Sequence, residues 1–254
     1  MKRLIASFLV ATIALPAIAQ DSEIDRERDR FLRPDIQTGT RFKQEPEMAS
    51  ETDARQMQKR LARCVFYAKK EELNTLLANS DFDRIDFDAT EFETEEFFDQ
   101  IKFSRCLGRA MKASQYKIYA SMRYSTLRNL VAEEAYLYAN KDAPVREEGA
   151  PTLIEQRFAY LSGGARSAVL AEVSDCISYR NSAAAHELLD STPGSSVETA
   201  ALEALYPTLL TCLETDTPPA FSTSMVRLMI ADGMWARSYY DGFTASMADA
   251  EVAE

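Results

Sequence analysis

Apolar residues recur at spacings of three and four along most of the chain, which is the period of an amphipathic α-helix. One clear example is the series Met57, Leu61, Cys64, Val65 and Ala68. Thr52 precedes that series and is the predicted N-cap of its helix. Sustained alternation with a period of two, as in a strand, is not seen, and the chain has only eight glycines. We therefore predict an all-α fold.

The helical pattern occurs twice, first from Cys64 to Tyr136 and again from Cys176 to Trp235. The first positions of the two copies match without a gap: Cys64, Tyr67, Leu76, Leu77 and Ser80 align with Cys176, Tyr179, Leu188, Leu189 and Thr192. After a length difference, Cys106-Leu107 aligns with Cys212-Leu213. The closing segments then align again: Leu127, Arg128, Leu130, Val131, Ala132, Glu133 and Tyr136 with Val226, Arg227, Met229, Ile230, Ala231, Asp232 and Trp235. This internal match predicts two pseudo-repeats of about four helices each that share one core.

The repeats divide the chain into segments. We expect a signal peptide at 1–19, a disordered charged leader at 20–50, helical repeat 1 at 51–140, a linker at 141–151, helical repeat 2 at 152–241 and a frayed tail at 242–254. In repeat 2, Ser182 is the predicted cap of the helix that carries the Leu-Leu pair, and Ser195 to Glu198 have capping-box spacing. Pro207 is expected to kink the helix that follows. The closing helices are expected at 121–140 and 222–240.

The first residues predict export from the cell. Lys2 and Arg3 precede an apolar run too short to span a bilayer comfortably, and Ala17-Ile18-Ala19 forms a cleavage pattern. Loss of those two basic residues changes the formal net charge from −11 to −13. Such an acidic chain is repelled by nucleic acid and by anionic membrane surfaces. We expect a periplasmic or secreted protein, cleaved after Ala19 and without an integral membrane segment.

All four cysteines lie within the predicted repeats: Cys64, Cys106, Cys176 and Cys212. In an oxidising compartment an even number of cysteines predicts disulfides, and four cysteines allow three connectivities. If each repeat is self-contained, Cys64 pairs with Cys106 and Cys176 pairs with Cys212. Zinc binding is the alternative, but the cysteines are widely spaced and the only histidine is His186. We therefore expect no metal site and no cofactor.

Charged residues occupy matching positions of the two closing helices, namely Arg128, Glu133, Arg227 and Asp232. An arginine and an acid five residues apart do not face each other on one helix. Each is expected to bridge to a neighbouring helix, or all four to line a shared groove. Because an active site seldom needs two equivalent sets, a packing role is favoured over ligand binding. Tyr136 and Trp235 are predicted to end each core as aromatic plugs.

Repeat 1 carries an acidic insertion, residues 81–99, where repeat 2 has a Pro-Gly-Ser turn. The insertion contains nine carboxylates and one basic residue, Arg84, interleaved with aromatic residues. We predict that the aromatic residues pack and that the acids stay solvated. A weak calcium site at Asp81, Asp83, Asp86 and Asp88 is the alternative, although the turn glycine of an EF-hand is missing. His186 is predicted to be a surface histidine and not a catalytic base.

The order of signal peptide, charged leader, Cys, Leu-Leu, Cys-Leu and closing arginine helix resembles uncharacterised exported bacterial proteins with a duplicated two-cysteine helical repeat. The resemblance covers about residues 64–240 and implies no particular activity. We expect a non-enzymatic periplasmic helical protein that binds or scaffolds another cell-envelope component, with another envelope protein as its partner. The alternative is a cell-envelope hydrolase that uses paired carboxylates from the insertion or the closing helices.

Overall fold

A computed structural model of the chain describes residues 49–111, 122–146, 164–216 and 220–240, together with the backbone of 243–244. The predicted signal peptide, almost all of the predicted leader and the tail after residue 244 lie outside these residues. So do residues 147–151 of the predicted linker and residues 152–163 of predicted repeat 2. Predictions for those segments stay predictions.

The described residues are mostly helical. The helices are α1 Glu51–Ala68, α2 Lys70–Ala78, α3 Phe97–Gln100, α4 Phe103–Ala110, α5 Tyr124–Ala139, α6 Ala165–Arg180, α7 Ser182–Asp190, α8 Ser196–Cys212 and α9 Thr223–Tyr239. A 3-10 helix at Phe87–Ala89 precedes α3. A two-residue strand, β1 Val145–Arg146, pairs antiparallel with β2 Phe243–Thr244. The predicted all-α class is confirmed, and within the described ranges no helix is both long enough and apolar enough to cross a bilayer.

The same sharp bend joins the first two helices of each predicted repeat. Lys69 alone separates α1 from α2, and Asn181 alone separates α6 from α7. Their backbone angles are nearly equal, with φ −147° and ψ 49° at Lys69 and φ −142° and ψ 57° at Asn181. Asn181 is also the N-cap of α7, because its side chain accepts from the backbone N–H of Ala184 at 3.3 Å. The prediction of Ser182 as the cap is therefore wrong.

Two other predicted helix starts have different outcomes. Ser50 caps α1, because its Oγ accepts from the backbone N–H of Asp53 at 3.1 Å, and Thr52 lies inside the first turn. The prediction of Thr52 as the cap is wrong. Ser195 caps α8 as expected, accepting from the N–H of Glu198 at 3.2 Å. Helix α8 continues through Pro207 to Cys212.

Helices α5 and α9 form the centre of the fold. They pack against each other, while α5 also contacts α1 and α2 and α9 also contacts α6 and α7. Nearly every residue of the two central helices is buried between Leu127 and Tyr136 and between Val226 and Arg237. These helices therefore bury charged residues as well as apolar ones. Buried apolar residues from both predicted repeats form one continuous core.

Two disulfides connect neighbouring helices. Cys64–Cys106 joins α1 to α4, with the Cα atoms 5.5 Å apart, and Cys176–Cys212 joins α6 to α8, with the Cα atoms 5.8 Å apart. No cysteine is left free. Each bond lies within one predicted repeat, which is the connectivity expected if each repeat is self-contained.

Candidate functional site

Arg128 extends from α5 into the core and its hydrogen-bond donors are directed at several acceptors. Its Nε donates to Ser80 Oγ at 2.8 Å, and its Nη2 donates to the carbonyl oxygens of Leu77 at 3.4 Å and Ser80 at 3.3 Å. Its Nη1 donates to the carboxylate of Asp232 on α9. Arg128 thus links the end of α2 to both central helices.

Arg227 makes the corresponding contacts from α9. Its Nε and Nη2 donate to the two carboxylate oxygens of Glu133 on α5, at 2.9 and 2.8 Å. Its Nη2 also donates to the carbonyl oxygens of Leu189 at 2.7 Å and Ser191 at 3.0 Å. The fork-like bonding to Glu133 is the strong, directional form of an arginine–carboxylate pair. Arg227 thus links the end of α7 to both central helices.

The four charged residues singled out by the sequence form two reciprocal pairs between α5 and α9. Arg128 of α5 bonds Asp232 of α9, and Arg227 of α9 bonds Glu133 of α5. We call these two pairs the reciprocal ion pairs. All four side chains are buried. The structure therefore places them between helices and not around an open groove.

The serine beside each arginine does not follow the sequence alignment. Ser80 aligns with Thr192, but the hydroxyl that accepts from Arg227 Nη1 belongs to Ser191, at 3.2 Å. The reason is the backbone after each short helix. Asn79 is neither helical nor extended after α2, with φ −104° and ψ 35°, whereas Ser191 is already extended directly after α7, with ψ 152°. The chain turns one residue earlier in repeat 2.

A larger charge cluster surrounds Arg227. Its Nη1 donates to Glu198 of α8 at 2.9 Å, and Arg55 of α1 bonds the same carboxylate. Lys59 of α1 donates from Nζ to Glu133 at 2.7 Å and also bonds the carbonyl oxygen of Leu189. The sequence pattern did not single out Arg55, Lys59 or Glu198 as a cluster. Together these side chains connect α1, α5, α8 and α9.

One glycine allows α1 to approach the turn before α8. Gly194 has φ +81°, and a Cβ on it would lie 2.4 Å from Thr52 Cγ2. The backbone conformation and the short distance both favour glycine at this position. Its N–H donates to Glu198 Oε2 at 2.7 Å. The Glu198 carboxylate, expected to take part in a capping box, is thereby directed into the charge cluster.

The two carboxylates of this cluster stay ionised. Burial alone would raise the pKa of Glu133, but the charges of Arg227 and Lys59 outweigh it and hold that pKa below its ordinary value. Burial likewise opposes ionisation of Glu198, and the Gly194 N–H and Arg55 reverse the effect, so its pKa is also lowered. A carboxylate that holds no proton at neutral pH is a poor general acid.

Glu134, next to Glu133, behaves in the opposite way. It is 5% exposed, and its Oε1 has no hydrogen-bond partner. Burial raises its pKa to about 7, and the negative charge of Glu133 acts in the same direction. Lys59, Arg63 and Arg227 oppose the rise without cancelling it. Glu134 is thus a buried proton-binding group, which the sequence did not reveal.

A further buried ion pair lies within predicted repeat 2. Arg237 of α9 donates from Nε and Nη2 to the two oxygens of Asp175 on α6, both at 2.5 Å. The guanidinium also lies over the ring of Tyr179, 4.4 Å from the ring centre. Asp175 and Arg237 do not appear in the repeat alignment as a matched pair, so this contact was not predictable from the sequence pattern.

His186 is half-buried, so the prediction of a surface histidine is only partly right. Its Nδ1 lies 2.8 Å from the hydroxyl of Tyr136, a buried residue of α5. Burial lowers the pKa of His186 and raises the pKa of the Tyr136 phenol. Burial therefore favours the neutral form of both groups, in which an unprotonated imidazole nitrogen can accept from the phenol.

The acidic insertion is built on packed aromatic rings. The Phe97 ring is buried, and its centre lies 5.2–5.6 Å from four other ring centres. The four rings belong to Phe87, Phe92, Phe98 and Tyr124. Most of the acids project outward. The exposed acids are Asp86, Asp88, Glu91, Glu93, Glu95, Glu96 and Asp99.

Asp83 is partly buried and Asp81 is fully buried, so the prediction that Asp81 is solvated is wrong. Its side chain is buried, and Oδ1 accepts from the backbone N–H groups of Asp83 and Arg84, both at 2.8 Å. Ser167 Oγ on α6 donates to the same oxygen at 3.2 Å. Asp81 therefore holds the first turn of the insertion against α6. Among the described residues, no three Asp, Glu, His or Cys side chains are placed to hold a metal ion.

These features define a class, an all-α protein with two disulfides and buried ion pairs between its central helices. No protein-family model, no curated protein and no solved structure matches the chain.

Proposed function

We propose that the protein is a non-enzymatic periplasmic helical protein that binds or scaffolds another cell-envelope component through the acidic insertion. The periplasmic location rests on the predicted signal peptide, and two disulfides are typical of proteins in oxidising compartments. The observation that carries the proposal is the exposure of seven acids of one segment on a packed aromatic base.

The insertion is held in shape before any partner arrives. Phe97 and Ile101 are buried under it, and Tyr124 donates from its hydroxyl to the carbonyl oxygen of Thr94 at 3.1 Å. The backbone N–H of Glu93 donates to the side chain of Gln100 at 3.0 Å. A surface that is already ordered loses less conformational entropy on binding. Its charge favours a basic partner surface and speeds the encounter with it.

The interior charges support the same proposal by their role in packing. The reciprocal ion pairs and the cluster around Arg227 connect helices of both predicted repeats. We propose that the chain is a duplicated unit whose two halves these contacts hold together. A rigid frame of this kind presents the insertion in one orientation, as a scaffold requires.

Site-specific crosslinking tests the proposal. A photo-crosslinking amino acid at Thr94, an exposed position that leaves every acid in place, should give a discrete covalent adduct with one envelope protein in intact cells. The control is the same amino acid at Val197, which is 47% exposed on α8. Adducts of equal yield at both positions, or none at Thr94, would contradict binding through the insertion.

One observation favours the hydrolase alternative. Adjacent Glu133 and Glu134 have pKa values displaced in opposite directions, as in enzymes that need one protonated and one ionised carboxyl group. Both side chains are almost fully buried, at 2% and 5% exposure, so a substrate would have to open the core to reach them. Release of fragments from purified cell walls, lost in Glu134→Gln with the fold intact, would support the hydrolase instead.

A further inference from the structure

Two tyrosines form an exposed pair at one end of α1 and α5. Tyr67 is 49% exposed and Tyr138 is 50% exposed. Their ring centres lie 5.6 Å apart and the rings are perpendicular, at 89°. Both rings also contact buried Phe66, at 5.9 and 5.7 Å between ring centres. The pair is therefore anchored to the core although half of its surface faces solvent.

Two cationic side chains flank the tyrosines. Lys70 Nζ lies 4.4 Å from the ring centre of Tyr138 and 5.6 Å from that of Tyr67, and it donates to the Tyr138 hydroxyl at 3.0 Å. The Arg63 guanidinium lies 5.9 Å from the ring centre of Tyr67. We call Arg63, Tyr67, Lys70 and Tyr138 the tyrosine–cation patch. It places two cationic side chains beside exposed aromatic rings on a chain of net charge −11, with the Glu71 carboxylate close enough to act on Lys70.

The corresponding place in predicted repeat 2 is filled by the chain itself. Tyr179 aligns with Tyr67 at the same offset as the cysteines, and its ring is covered by Arg237. Asp175 completes that arrangement by bonding Arg237. By the same alignment, the position of Asp175 carries Arg63 in repeat 1, which is a cation in place of the acid.

The aligned residues Asp175 and Arg63 have opposite charges, so the charge beside the tyrosine differs between the two predicted repeats. In repeat 2 a carboxylate of the chain neutralises the cation over the tyrosine. In repeat 1 the tyrosine–cation patch supplies cations and aromatic surface, while the nearby carboxylate of Glu72 is bonded to Lys69 at 2.6 Å. The chemistry that fits the patch is therefore a carboxylate brought by another molecule.

We propose that the tyrosine–cation patch is a docking site for an acidic peptide segment of a partner protein, an inference that rests on the proposed binding function. The perpendicular rings of Tyr67 and Tyr138 favour a peptide over a glycan, because a sugar ring stacks best on a flat aromatic face. The two rings are in edge-to-face contact, so a peptide side chain would pack on their exposed surface, where Lys70 and Arg63 lie beside the rings to meet a carboxylate. The patch gives the protein a second surface, opposite in charge to the acidic insertion.

Selection from a library of random seven-residue peptides displayed on phage tests this site with the whole mature chain as the target. We expect the selected peptides to be rich in Asp and Glu. A synthetic copy of the most enriched peptide should bind at least about tenfold more weakly to Lys70→Glu and to the double variant Tyr67→Ser/Tyr138→Ser. Its version with Gln in place of Glu and Asn in place of Asp should also bind about tenfold more weakly to the unchanged protein.

The matched control is Tyr206→Ser, which removes a tyrosine that is 40% exposed on α8 and should leave peptide binding unchanged. Circular dichroism and the thermal midpoint show that each variant is folded. Selection of neutral or basic peptides, no enrichment, or equal binding by Lys70→Glu would overturn the docking site. Such a failure leaves the proposed function standing if the Thr94 adduct still forms, since the acidic insertion is a separate surface.

Discussion

Two adjacent glutamates of α5 show how position within a few ångströms decides the charge of a buried group. Glu133 lies against Arg227 and Lys59 and stays ionised, whereas Glu134 has an unpartnered oxygen and a pKa of about 7. Burial opposes ionisation of both groups. What separates them is the number of donors that reach each carboxylate.

Glu134→Gln should change how stability depends on pH. The pKa of Glu134 is about 7 in the folded chain, above its ordinary value of 4.5. The folded chain therefore holds this proton more tightly than the unfolded chain does. The resulting stability is fully present below pH 4.5 and is lost as the pH rises from 4.5 through about 7. The variant lacks this loss. It should be more stable than the unchanged protein by up to roughly 3 kcal/mol at pH 8, and little different near pH 4.5. Urea unfolding at both pH values measures the difference.

Other groups titrate with the opposite sign, so only the difference between the two proteins is informative. Because the pKa values of Glu133, Glu198 and His186 are lowered, each group costs stability as the pH falls below its ordinary pKa and through the lowered one. These contributions are present in both proteins and cancel. If the stability difference between variant and unchanged protein did not grow with rising pH, a buried, protonated Glu134 would be ruled out.

At the scale of elements, the central helices α5 and α9 are joined by the reciprocal ion pairs. Removing one partner of a buried pair leaves an uncompensated charge, which typically costs about 3–5 kcal/mol. Removing both partners costs less than the sum of the two single changes, because neither charge is then left alone.

A double-mutant cycle of Arg128→Met and Asp232→Asn should show this coupling. Each single variant should lose about 3–5 kcal/mol, and the double variant should be more stable than additivity predicts by over about 1 kcal/mol. The control is Arg166→Met at an exposed pair with Asp83, where the loss should stay below about 1 kcal/mol. Denaturant unfolding compares these four variants with the unchanged protein, and additive losses would contradict a direct ion pair.

Gly233 sets the distance between α9 and α6. A Cβ there would lie 2.5 Å from the backbone carbonyl oxygen of Ser174, so Gly233→Ala should destabilise the fold by about 1–3 kcal/mol. A Cβ placed on Gly108 in α4 would have no other atom within 4 Å, so Gly108→Ala should stabilise the fold by up to about 1 kcal/mol. Thermal unfolding distinguishes the two, and equal effects would show that α9 and α6 do not approach this closely.

The periodic apolar pattern predicted the helices, and the matched charges of the closing segments identified Arg128, Glu133, Arg227 and Asp232. These features repeat in the sequence and are therefore visible in it. Lys59 and Arg55 were not predictable, because the aligned positions in predicted repeat 2 are Ala171 and Ser167 and carry no matching charge. The burial of Asp81 was also not predictable from composition. It depends on a turn in which the backbone N–H groups of Asp83 and Arg84 donate to one oxygen of the Asp81 carboxylate.

At the scale of the whole molecule, each disulfide closes a long loop and so restricts the unfolded chain. The bonded cysteines are 42 residues apart in the first pair and 36 apart in the second. In the chain-entropy model both loops correspond to roughly 4 kcal/mol. Replacing Cys64 and Cys106 together by alanine should therefore cost about as much as replacing Cys176 and Cys212. Denaturant unfolding checks this, and peptide mapping without reduction checks the connectivity, which a Cys64–Cys176 or Cys64–Cys212 peptide would contradict.

The central claim is that the acidic insertion binds an envelope partner while the interior charges hold the frame. The most direct measurement is the yield of the Thr94 crosslinked adduct in intact cells when Glu91, Glu93, Glu95 and Glu96 are all changed to Gln. These side chains are exposed, so the thermal midpoint should be almost unchanged. We predict that the adduct is lost while the fold persists. An adduct of undiminished yield from the folded variant would contradict the claim.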